Sequence, residues 1–451
     1  MRFPKGSVCW LLWLALGCLA FAQDLPREQP TGSADNRLSA GLEADQGPVR
    51  VPEPTDLAVR RYRSGNLRWT LRQAWYLVVP ALFLFTGFSA KIRDWAQRPG
   101  RAWPVTAGVY VVIFMSLTFV ANLPLLYYTG YLLPHTLGVS NQTWGRWFGS
   151  TVKSLVAPPT SLRRPPPVEL PGLLLGYLFV ILLYLFLKKS PRRWWLYLGL
   201  FMLPFLAVFS LVQPAWFDPL FHQYGPMKDR ALERKVLELA RRAGIEGGRV
   251  FEVNMSRDSQ ITGAYVEGFM GAKRIVVYDT TIAKLGQREL LAIMAHEMGH
   301  YVLGHPVRDI LFISCIFLAA FGMVHWQAGI WIRRHKKRFR FERLDDIASL
   351  PLLLLLVNVS LLALAPADLA FARHREHEAD RFALELTRDN RGYATAILDI
   401  QLGKDFFVPR YGWFYTAWRA DHPSIGDILD FANEYRPWET GQPLKYGHLF
   451  R

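Results

Sequence analysis

Residues 295–300 read Ala-His-Glu-Met-Gly-His, and this short stretch decides how the rest of the chain is read. Side chains four apart on an α-helix lie on one face, so His296 and His300 can aim two imidazoles at one zinc ion. Glu297 sits beside them, within reach of a zinc-bound water that it can activate. The flanks supply the helix the motif needs. Leu290, Leu291, Met294, Met298 and Val302 recur every three to four residues, Gly304 offers a stop, and Pro306 cannot continue the turn. The spacing therefore predicts the zinc-binding helix of a metallopeptidase.

Composition places that helix in a membrane protein. The chain has 451 residues, of which 51% are hydrophobic and 14% aromatic, with a formal net charge of +16 and a mean hydropathy of +0.10, too apolar for an ordinary soluble enzyme. The Lys and Arg residues gather in short loops between apolar runs, which membrane topology explains better than nucleic-acid binding. Cys9, Cys18 and Cys315 all lie in apolar segments, so they offer neither a disulfide framework nor a thiolate metal site.

Residues 1–22 carry Arg2 and Lys5, an apolar run, and Ala20-Phe21-Ala22 before Gln23. That is the pattern of a cleavable secretory signal, with an uncleaved anchor and a lipoprotein-like site at Gly17-Cys18 as the weaker readings. A polar segment rich in Pro, Gly, Asp and Arg follows over 23–69, without sustained periodicity, and is expected to be flexible. Four apolar runs, at about 70–90, 106–133, 168–188 and 194–216, are expected to cross the bilayer, with a Pro-rich connector at 158–167 between the second and third. Residues 217–306 read as an aqueous module: a helix near 229–243, strands near 249–255 and 274–279, an edge strand at 264–268, then the zinc helix. Two more runs, about 310–332 and 347–372, define a second membrane segment over 307–372, and 373–451 must return to the module. The expected fold class is mostly α: a polytopic membrane helical bundle with an inserted α+β zinc metalloprotease module.

A catalytic zinc needs a third protein ligand and an open position. Arg373-His374-Arg375-Glu376-His377-Glu378-Ala379-Asp380 opens a helical pattern directly after the last apolar run. In it Glu376 and Asp380 share a face, as a ligand and a carboxylate supporting the ligands would; Glu378 is the less favoured alternative ligand. H-E-M-G-H followed, after two apolar spans, by R-x-x-E-x-x-A-D resembles the type I CAAX prenyl endopeptidase family, integral-membrane zinc metalloproteases of gluzincin type. Asn141-Gln142-Thr143, Asp218-Pro219-Leu220-Phe221, residues 273–280 and His422-Pro423 extend the likeness over most of 70–430. The resemblance implies that Glu376 completes the zinc site, that Asp380 supports the ligand histidines, and that His422 donates a hydrogen bond to the tetrahedral intermediate. The chain departs from the pattern at Gly263, where family members usually carry asparagine, and at Ile428, where they usually carry arginine.

The expected activity is hydrolysis of hydrophobic, membrane-associated or lipid-linked peptides, with one zinc ion and a Glu-activated water. Substrate is expected to add as an extended strand beside Gly263, Ala264 and Tyr265, because backbone pairing tolerates varied sequences. The partners are a peptide or membrane-protein substrate and the lipid bilayer, not nucleic acid. The basic loops at 91–103, 188–193 and 333–346 are expected to be cytoplasmic. That puts the module on the exported side of a bacterial plasma membrane, in agreement with the signal segment. A transporter or a silent multispan scaffold is the alternative, but the apolar runs are nearly free of charge and no expected ligand is missing.

Overall fold

The structure is a computed structural model that describes residues 47–99, 102–137, 140–154, 173–213, 216, 218–269, 272–402 and 408–451. The signal segment at 1–22 and the Pro-rich connector lie outside the described residues. Helix α1 (Asp56–Phe85) begins with Thr55 capping Ala58 N. It ends at Thr86-Gly87, where the chain bends by 66° into α2 (Phe88–Ala96). Gly87 takes φ +68°, and a Cβ there would lie 3.1 Å from the Arg338 carbonyl, so the bend needs glycine. Next come α3 (Trp103–Tyr127), which runs through a π-turn at Tyr128–Leu132 into α4 (Leu133–Thr136), then the amphipathic α5 (Trp144–Lys153), α6 (Leu173–Lys189) and α7 (Trp194–Val212).

The aqueous module follows: β1 (Tyr224–Pro226), α8 (Arg230–Arg242), β2 (Gly248–Val253), β3 (Ala264–Phe269), β4 (Ala272–Tyr278), α9 (Asp279–Lys284) and α10 (Gln287–Val302). Its four strands are ordered β1-β2-β4-β3. β2 and β4 are parallel (Gly248↔Lys273), whereas β3 runs antiparallel to β4 (Ala264↔Val277) and lies at an edge. Asp229 caps α8 through the N–H groups of Ala231 and Leu232. Leu232, Val236 and Leu239 on α8 bury against Val250 and Ile275 of the sheet and Leu290, Met294 and Met298 of α10. Each such side chain contributes about 1.5–3 kcal/mol on leaving water. Gly304 takes φ +67° after α10, and Pro306 falls in the first turn of α11 (His305–Phe339), where its missing N–H costs nothing.

The chain then continues through α12 (Leu350–Thr387), α13 (Asn390–Leu402), α14 (Trp413–Trp418) and α15 (Ile425–Glu434). Among the described residues, four helical stretches are long and apolar enough to span a bilayer, Trp103–Thr136, Trp194–Val212, His305–Phe339 and Ile347–Thr387, with the bent α1–α2 pair as a fifth. The helix over the third expected run, α6, has 17 described residues. Apolar side chains exposed on the bundle, among them Val120, Leu174 and Val208, face where lipid would be.

Two expected boundaries are corrected. Residues 23–69 are not uniformly flexible: α1 starts at Asp56, and ahead of it Val49 exchanges two backbone hydrogen bonds with the Asn433 side chain. The expected break between membrane segment and module at 372/373 does not exist, because α12 runs unbroken to Thr387. A helix satisfies its own backbone in lipid and in water alike, so leaving the bilayer does not end it. The expected basic loops share one end of the bundle: Arg93 pairs with Asp346 at 2.5 Å, and Lys188 lies over the Trp103 ring. From Leu350, near that end, α12 rises about 39 Å to Glu376 at 1.5 Å per residue. The metal-ligand candidates are thus on the opposite face.

Candidate metal centre

Helices α10 and α12 cross at Gly299, where an added Cβ would come 3.1 Å from the Phe382 Cβ. This close approach lets short side chains of both helices meet. His296 and His300 project from one face of α10, and Glu376 projects from α12. The two imidazole Nε2 atoms are 3.1 Å apart; Glu376 Oε2 lies 3.3 Å from His296 Nε2 and 3.4 Å from His300 Nε2.

Those separations match the edges of a tetrahedron built on zinc bonds of about 2.0–2.1 Å, whose ligand atoms stand about 3.3–3.4 Å apart. Glu376 Oε2 is buried without a hydrogen-bond partner, an arrangement that costs free energy unless a cation claims the oxygen. Burial opposes a charge on His296, yet Asp380 and Glu376 hold its pKa up at about 10, so the pocket favours positive charge. Among the described residues, His296, His300 and Glu376 are the group of His, Cys, Asp and Glu side chains that converges this way, and the donor set fits a divalent metal.

The atoms behind these three are also engaged. His296 Nδ1 lies 3.0 Å from Asp380 Oδ1, and the Tyr393 hydroxyl donates to the same carboxylate while standing 3.1 Å from His296 Nδ1. His300 Nδ1 meets His305 Nδ1 at 2.8 Å. His305, only 1% exposed, passes the contact to Glu378 at 3.4 Å, and Arg308 pairs with Glu378 at 2.8 Å. Glu378 is therefore committed away from the imidazole pair, which favours Glu376 over it as the ligand. Such partners orient imidazoles and fix their tautomers.

Glu297 is half-buried next to His296 and stands outside these ion pairs. His422, which is exposed, brings Nε2 within 3.2 Å of Glu376 Oε2, and its Nδ1 lies 2.9 Å from Asp421. His377 is not brought into the cluster; its ring lies tilted against that of Phe431, 4.3 Å between centroids. Tyr393 and Arg308 are not singled out by the sequence, whereas His305 reads there as either a surface residue or a support behind the ligands. Tyr393 has no local signal; the structure places His305, five residues after His300 across a helix break, behind the ligand ring.

At the sheet edge, Gly263 is already occupied. Its N–H donates to Thr281 Oγ1 at 2.7 Å, and its carbonyl accepts from Tyr278 N and Thr281 Oγ1. A Cβ at Gly263 would fall 2.6 Å from the Tyr278 ring, which explains glycine here. By antiparallel alternation, the backbone groups turned to the open edge belong to Ala264 and Val266. The Tyr265 hydroxyl instead meets that of Tyr224 at 3.1 Å. Ile428 is buried in the module core.

Residues 226–432 match peptidase family M48, and residues 59–160 match the N-terminal region of CAAX prenyl proteases, described by its five membrane helices. The Bacillus subtilis (strain 168) protein YhfN, described as an uncharacterized metalloprotease, is 32% identical over 410 residues, covering 89% of this chain and 91% of that one. The chain belongs to peptidase family M48. Another relative is CAAX prenyl protease 1 of Saccharomyces cerevisiae, 24% identical over 72% of each chain. The crystal structure of S. mikatae Ste24p superimposes with a TM-score of 0.66 over 84% of this chain and 89% of that one, at 22% identity; the two share a fold. This M48 protein is a multi-pass membrane metalloendopeptidase with a metal cofactor, which sets aside the transporter and silent-scaffold readings.

Proposed function

We propose that this M48 peptidase uses one zinc ion, held by His296, His300 and Glu376, to cleave hydrophobic, membrane-associated or lipid-linked peptides. The observation that carries the reading is the convergence of two imidazole nitrogens on an orphan carboxylate oxygen at 3.1–3.4 Å. When bound, the ion supplies Lewis-acid chemistry, making water acidic near neutral pH and polarising a carbonyl.

The protein groups do the rest. Asp380 and Tyr393 hold the His296 ring, and His305 holds that of His300, so the acceptor nitrogens stay aimed without reorganisation. Glu297 takes a proton from the attacking water as its oxygen bonds to the peptide carbon, then delivers that proton to the leaving nitrogen as the C–N bond breaks. Asp421 accepts from His422 Nδ1–H, leaving Nε2–H of the imidazolium to donate to the carbonyl oxygen as it gains charge. An extended substrate pairs with the outward backbone groups of Ala264 and Val266, and the side chain of Tyr265 lies on the adjoining face.

Chelation tests this. Purified enzyme stripped with 1,10-phenanthroline is expected to lose cleavage of a quenched-fluorescence apolar peptide and to recover it with about one zinc per chain. Full activity of the stripped protein would refute the zinc mechanism. The same proposal puts the metal centre on the exported face, because the basic loops share the far end of the bundle. Alkaline phosphatase fused after Arg451 is therefore expected to be active in cells, and an expressed but inactive fusion would reverse the orientation.

A further inference from the structure

The geometry points to Arg373 as a positioning residue that sets His422 over the reacting carbonyl. Arg373 lies one turn before Glu376 on α12. Its Nη1 donates to Thr416 O in the last turn of α14 at 2.6 Å and to Ala420 O, two residues past that helix, at 2.7 Å. The last carbonyls of a helix have no partner within it, and a cation there also meets the negative end of the helix dipole. Arg373 supplies both needs at once. Ala420 is followed directly by Asp421 and His422, so the guanidinium ties the exit of α14 to the same helix that presents Glu376. The distance of 3.2 Å between His422 Nε2 and Glu376 Oε2 is the result.

Other contacts fix α14 as far as Arg419, and Arg373 reaches the carbonyl of Ala420 just beyond. The Tyr62 hydroxyl on α1 accepts from Gly412 N at 3.0 Å, Arg419 donates to Asn66, and the Trp418 indole donates to Leu362 O at 3.1 Å. Trp69 packs edge-on against Phe414. Losing Arg373 thus loosens the short Ala420-Asp421-His422 turn while α14 stays docked. The His422 imidazole, exposed on its other side, then loses its fixed approach to the site. An arginine suits this link because one planar head can reach two carbonyls of a helix end while its stem packs along α12.

This role rests on the reading of His422 as a hydrogen-bond donor to the reacting carbonyl, and the experiment separates the two. R373A, R373K, H422A and the R373A/H422A double variant of the full chain are purified with zinc and assayed on the quenched apolar peptide, with zinc content measured in parallel. H422A is expected to lower kcat about 10²-fold, and R373A roughly tenfold, both with KM and zinc content held. R373K, which keeps a cationic donor, is expected to recover most of the loss and to report the role should R373A fail to fold. In the double variant Arg373→Ala is expected to add nothing to H422A, since its effect passes through His422. Multiplicative losses, or loss of zinc in R373A, would overturn the positioning role while leaving His422 in place. Unchanged kcat in H422A would overturn the reading of His422 itself.

Discussion

Replacing Glu297 by glutamine is expected to lower kcat for peptide cleavage by roughly 10³-fold, about 4 kcal/mol in the barrier, with zinc content and fold unchanged. The amide has the shape of the carboxylate but cannot take a proton from water. Glu297 lies outside the triangle of His296, His300 and Glu376 and outside its ion pairs, so the donors keep their positions. The residual rate should still exceed that of water alone, since the metal and His422 continue to stabilise developing charge. Single-turnover cleavage and metal analysis on the same preparation check both halves. Turnover at the unsubstituted rate would remove Glu297 from the mechanism, and loss of zinc would move it into the ligand sphere.

The pieces legible in the sequence were those whose partners are close along the chain. Spacing alone puts His296 and His300 on one face of α10, and Gly304 with Pro306 marks the break into α11 within a residue or two. The stretch 264–268, set between two stronger strand-like runs, reads as an edge strand, and β3 lies at the edge. What escaped depends on partners far away. The Arg-rich start of α1 has no apolar stripe of its own; it is helical against Tyr411, Tyr415 and Phe414, more than 300 positions away. The drop in hydropathy at Arg373 looked like a domain boundary, yet hydropathy reports solvent and not backbone, and α12 passes straight through. Glu376 and Glu378, two residues apart, differ in facing: Glu378 turns to Arg308 and His305, and Glu376 to the imidazoles. Gly263 reads in the sequence as a site residue; its backbone is spent on Thr281 and Tyr278, and the groups turned to the open edge start at Ala264.

Glu376→Ala is expected to abolish zinc retention and activity together. Two imidazoles alone leave the ion short of the three protein ligands that a catalytic site provides. Losing a direct ligand should therefore cost more than the roughly 10–100-fold in affinity that changes behind the ligands cost. Glu378→Gln serves as the control, since its carboxylate pairs with Arg308 and its loss should leave zinc in place. Because binding to the folded state stabilises it by about 4 kcal/mol at a thousandfold excess over Kd, added zinc should raise the Tm of the metal-stripped wild type and of Glu297→Gln. It should leave that of Glu376→Ala unmoved. If Glu376→Ala instead kept a full zinc complement, the third ligand would have to come from elsewhere, and His422, whose Nε2 stands 3.2 Å from the vacated oxygen position, is the group placed to take it. A His422→Ala change in that background would then release the metal, and the donor assigned to the carbonyl oxygen would be recast as a ligand.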